Sequence, residues 1–96
     1  LSVSEPSLQR RELFYTGNVQ GVGFRYTARR IAHAHRVAGF VRNLRDGRVQ
    51  IAVEGEAEEI EAFLNDLQTR MGDYIRDMTD TAVVPTGEFS GFEIRF

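Results

Sequence analysis

The chain has 96 residues, 42% of them hydrophobic, with a formal net charge of -2; that fits one domain around a single compact core and leaves no room for a second. The acidic balance argues against a general binder of nucleic acid or anionic membrane. Cysteine is absent and all twelve basic residues are arginine, which excludes disulfides, thiol catalysis, thiolate zinc sites, Schiff-base lysines and phosphate loops that need a lysine.

The opening "LSVSEPSLQ" is polar, holds a proline and shows no period, so residues 1–10 are expected to form a flexible tail ahead of a domain over 11–96. In "RRELFYTGNV", Leu13, Tyr15 and Val19 fall on alternate positions and predict a strand. The period then changes. Phe24, Ala28, Ile31, Ala32 and His35 recur at helical spacing with Arg25, Arg29 and Arg36 on another face, which predicts an amphipathic helix over 24–37. "VAGFVRN" and "RVQIAVE" are two β-rich runs around "LRDG", a hairpin signal because the turn needs a positive φ at glycine. Ala57, Ile60, Leu64, Leu67 and Met71 line one face of a second helix over 56–71, with Gly72 suited to a C-terminal cap.

"YIRDMTDTAVV" is a poorer strand because charges break its alternation, whereas Phe92, Ile94 and Phe96 alternate cleanly in "FEIRF". The order β-α-β-β-α-β predicts an α+β, ferredoxin-like sandwich: a four-stranded antiparallel sheet with two helices on one face, joined by right-handed crossovers. No apolar run approaches a membrane span and no basic-then-apolar leader opens the chain, so a cytoplasmic protein is expected.

Charge is divided along the chain. Residues 1–50 carry nine arginines against three acids, and residues 51–96 carry three against eleven. The halves can attract each other across the fold, and the first half can also form a positive mouth around "GNVQGVGFR". That stretch ends in the predicted start of a helix, where unpartnered N–H groups concentrate partial positive charge. Glycines let successive N–H groups converge on an anion, and the Arg25 fork can reach the same anion with two hydrogen bonds. Gly17, Gly21 and Gly23 suit a phosphate cradle, but they suit a sharp strand-to-helix turn as well. The lysine-bearing phosphate loop and the dinucleotide fingerprint do not match, since "GVGFRY" lacks the third glycine.

"GNVQGVGFR" followed by "GFVRNLRDGRVQIAVEG" strongly resembles the acylphosphatase family. The resemblance is specific over residues 17–25 and 39–55 and weak over 70–90. It implies a ferredoxin-like enzyme that hydrolyses the carboxyl–phosphate bond of acyl phosphates without metal or cofactor. It further implies that the backbone of Gln20, Gly21, Val22, Gly23, Phe24 and Arg25 binds phosphate, that Arg25 is the catalytic cation, and that Asn43 orients the attacking water. The implied partners are a small-molecule acyl phosphate and inorganic phosphate, as product and inhibitor, with neither nucleic acid nor membrane, for a monomer. Phe40 stands where members often carry tryptophan, Phe96 where a terminal tyrosine is frequent, and "GDYIRDM" lacks a common proline turn.

The residue inventory suits that chemistry. An acyl phosphate has a good leaving group, so positioning and charge stabilisation carry most of the catalysis. No titratable base lies in the motif; the substrate phosphate itself can accept the water's proton. His33 reads as solvated, His35 as a packed or edge residue, and Arg29 and Arg30 as a solvated helix face. An RNA-recognition module shares the element order, but "RVQIAVE" offers no aromatic for stacking. The remaining alternative is a non-catalytic anion-sensing or partner-binding domain of the same fold.

Overall fold

A computed structural model describes residues 7–96; six of the ten residues expected to form the tail lie outside that range. The elements are β1 (Gln9–Gly17), α1 (Phe24–Ala32), β2 (Val37–Asn43), β3 (Val49–Gly55), α2 (Ala57–Met71), a 3-10 turn (Gly72–Tyr74), β4 (Ile75–Val83) and β5 (Phe92–Arg95). The strands form one sheet in the order β4-β1-β3-β2-β5. Leu13 and Tyr15 of β1, Val41 of β2, and Val49, Ile51 and Val53 of β3 bury one sheet face against Phe24, Ala28 and Ile31 of α1 and Ile60, Phe63, Leu64 and Leu67 of α2. Among the described residues no helix is long and apolar enough to cross a membrane.

The ferredoxin-like sandwich holds, but its sheet has five strands rather than four, and it is mixed rather than wholly antiparallel. β5 pairs parallel with β2. Both C-terminal candidates are strands, and they occupy opposite edges. β4 pairs only with β1 and is exposed along most of its length, which is why its alternation is broken by charges. In "FEIRF" the alternation stops short: Phe92 is buried and Phe96 is 93% exposed.

One local expectation changes: α1 ends at Ala32 instead of near Val37, because Ala34 and His35 donate to Ile31 and Ala32 in tighter i→i+3 turns. His35 then pairs with Asp66 of α2 at 2.7 Å. Gly72 caps α2 as expected, in a right-handed conformation; a side chain there would meet Gln68. The hairpin between β2 and β3 forms as expected, closed by Leu44 N–H donating to Arg48 O at 2.8 Å.

The chain crosses from β4 at one edge to β5 at the other through residues 84–91, and a buried acid holds that crossing. Glu54, 3% exposed, accepts from Thr86 N–H (2.9 Å), Gly87 N–H (3.0 Å), the Thr86 hydroxyl (3.2 Å) and Arg10 (3.3 Å). Burial alone would raise the Glu54 pKa; these donors outweigh it and hold the carboxyl below its ordinary value. A depressed native pKa means stability that is complete above the unfolded carboxyl pKa of about 4.3 and is lost as pH falls through the native value. Glu54→Gln should therefore cost about 1.5–3 kcal/mol at neutral pH, the worth of hydrogen bonds to a charged group. Urea unfolding from pH 7 to pH 3 tests this, since the variant should lose less stability than wild type over the acid limb. Equal midpoints at neutral pH would show that the latch contributes nothing.

Candidate active site

β1 and β2 both run antiparallel to β3, so Gly17 and Asn43, their last residues, emerge at the same end of the sheet. The loop that leaves β1 therefore lies beside the end of β2. The Gln20 side chain bridges them, its amide donating to Leu44 O at 2.7 Å and Arg48 O at 3.0 Å. Phe24, buried against Tyr15 with ring centroids 5.1 Å apart, fixes where α1 begins.

Gly21 and Gly23 both have φ of 78°, and a Cβ at either position would meet nothing within 4 Å. Backbone conformation, not crowding, requires glycine there. Gly23 is the N-cap of α1 and supplies no side-chain cap. Among the described residues, the N–H groups of residues 20–25 donate to no backbone carbonyl outside regular elements, which leaves them available to an anion at the helix start.

A cavity of about 180 Å³ opens at this point, lined by Gly21, Gly23, Phe24, Arg25 and Asn43, with Val19 and Tyr26 at its sides. Of the residues expected to bind phosphate, Gln20 and Val22 do not line it. Gln20 spends its side chain on the hairpin, and Val22 packs against the core; both retain their main-chain N–H groups. Arg25 is half-buried, and its guanidinium lies 5.0 Å from the ring centroid of the exposed Phe96, within cation–π range. No carboxylate pairs with it among the described residues. The Asn43 Oδ1 is buried and has no hydrogen-bond partner among the described residues. A buried acceptor with no protein partner is one that a bound water can satisfy.

Sequence reasoning missed Tyr26, the Gln20 bridge and the Arg25–Phe96 contact. Tyr26 follows Arg25 directly, so adjacency was its only signal. The other two join residues distant in the chain.

A glycine-shaped helix start, an arginine and a buried amide thus meet in one cavity on an α+β sandwich. The family model for acylphosphatase matches residues 11–94. The chain is 43% identical over 77 residues to the acylphosphatase of Bacillus licheniformis, covering 80% of this chain and 83% of that protein. It is 37% identical over 82 residues to that of Oceanobacillus iheyensis, covering 83% and 90%. The crystal structure of acylphosphatase from Bacillus subtilis matches it with a TM-score of 0.81 at 30% identity, covering 94% of this chain and 100% of that one. The chain belongs to the acylphosphatase family.

Proposed function

We propose that the N–H groups of residues 20–25 and the Arg25 guanidinium hold the phosphoryl group of an acyl phosphate while Asn43 directs water onto it. The chain is an acylphosphatase. Water oxygen bonds to phosphorus, the bond from phosphorus to the acyl oxygen breaks, and the products are a carboxylate and inorganic phosphate. The water's proton passes to a phosphate oxygen, so no protein base is required. Charge that builds on the phosphoryl oxygens meets donors already in position. An amide oxygen accepts a hydrogen bond from water and stays neutral, which leaves the water's lone pair for attack. The observation that supports this reading is the cavity shared by Arg25, the glycine loop and Asn43, whose Oδ1 has no partner among the described residues. The reading is of a cytoplasmic monomer whose partners are a small-molecule acyl phosphate and inorganic phosphate.

Turnover of benzoyl phosphate by the purified protein tests the activity. Inorganic phosphate and sulfate should both inhibit competitively, because a ring of N–H donors discriminates weakly among tetrahedral oxyanions. Amide shifts on phosphate titration should cluster at residues 20–25. Shifts centred on the opposite end of the sheet, around Glu54 and Thr86, would remove the loop from the mechanism.

A further inference from the structure

A second cavity, of about 480 Å³, runs between α1 and β5 and is lined by Tyr26, Arg29, Arg30, His33, Phe92 and Glu93. Tyr26 lines both this groove and the phosphate cavity, so the two meet at its ring. α1, "FRYTARRIA", carries three arginines and no acid. Arg29 lies one helical turn beyond Arg25, about 6 Å along the axis, with its guanidinium 5.4 Å from the Tyr26 ring centroid. Neither Arg29 nor Arg30 pairs with a carboxylate among the described residues, so neither guanidinium in this groove is neutralised by an ion pair. The groove's acid, Glu93, is engaged by Arg95 at 2.9 Å. Complementing the C-terminal dipole of α1 accounts for cations in its last turn. It does not account for a guanidinium stacked toward the junction of two cavities.

We propose that this groove seats the acyl portion of the substrate, and that Arg29 and Arg30 select acyl phosphates bearing a second anionic group away from the scissile bond. The proposal rests on the acylphosphatase reading and adds the substrate class. The phosphoryl group anchors in the cradle, the acyl chain crosses Tyr26, and the distal anion meets the two guanidinium groups. A distal carboxylate and a distal phosphate share the chemistry the arginines recognise.

The test compares benzoyl phosphate with 4-carboxybenzoyl phosphate, and with the analogue bearing a phosphate group at the 4-position, for wild type, R29Q/R30Q and R29K/R30K. Each exposed ion pair contributes about 0.2–1 kcal/mol, so losing two should cut the preference in kcat/KM for the charged substrates by about two- to thirtyfold relative to benzoyl phosphate. Using that ratio cancels intrinsic leaving-group reactivity and any change in the field felt by the phosphoryl group that all three substrates share. The lysine variant should restore most of the preference, which separates charge from packing. An unchanged ratio in R29Q/R30Q would overturn the proposal, and whichever charged substrate loses more identifies the preferred distal group. Dissociation constants of phenylphosphonate and 4-carboxyphenylphosphonate give a readout independent of turnover. Arginine-dependent preference for the carboxylated phosphonate without hydrolysis of any substrate would sink the enzymatic reading and keep the groove; equal binding of both phosphonates would sink the groove.

Discussion

Arg25→Ala should slow turnover by about 10²–10³ and weaken phosphate inhibition at the same time, the loss expected when one strong oxyanion donor is removed. Both parameters should move if, as proposed, the guanidinium contacts the phosphate in the ground state and in the transition state. A cation at this position adds to the partial charge of the α1 start, and no acid in that helix opposes it. Arg25→Lys should recover little. An ammonium keeps the charge but loses the two-pronged geometry of the guanidinium. The fold should persist in both variants, since Arg25 pairs with no carboxylate among the described residues. Measuring kcat and the phosphate inhibition constant on benzoyl phosphate, with circular dichroism for folding, decides the matter. Near-normal kcat in a folded Arg25→Ala protein would remove this residue from catalysis.

What the sequence revealed of this fold and site follows the range of the interactions involved. The β2–β3 hairpin and α2 were legible because a turn and a helical face are written in adjacent residues. The length of α1 was overread: tight turns after Ala32 continue a spacing close to helical, so periodicity alone does not mark the end. The sheet's edges were the weakest reading. β4 has little buried face to impose alternation, and the parallel pairing of β5 depends on the crossing that Glu54 ties down from more than thirty residues away. The same distinction runs through the site. The glycine loop and Arg25 are contiguous, and their anion-binding character could be argued from local physics. Asn43 gained a role there only through family resemblance, because its approach to Arg25 is a consequence of strand direction. The groove along α1 needed β5 at the sheet edge, so Arg29 and Arg30 read as a solvated face.

Asn43→Ala should separate catalysis from binding and also from stability. If the amide holds water and not phosphate, kcat should fall by about 10²-fold, the scale of losing a well-oriented reactant, while the phosphate inhibition constant stays near wild type. Stability should not follow activity down. Oδ1 bonds to no other protein group among the described residues, so its removal breaks no intramolecular hydrogen bond and leaves only a small packing loss at the strand end. A structural asparagine would behave in the opposite way, with its removal lowering the unfolding midpoint and leaving kcat per folded molecule intact. Urea unfolding beside kcat and inhibition measurements therefore gives two independent readouts on one variant. A folded, equally stable Asn43→Ala protein with undiminished kcat would refute the water-positioning role, because nothing else about that carbonyl oxygen would explain its burial without a partner.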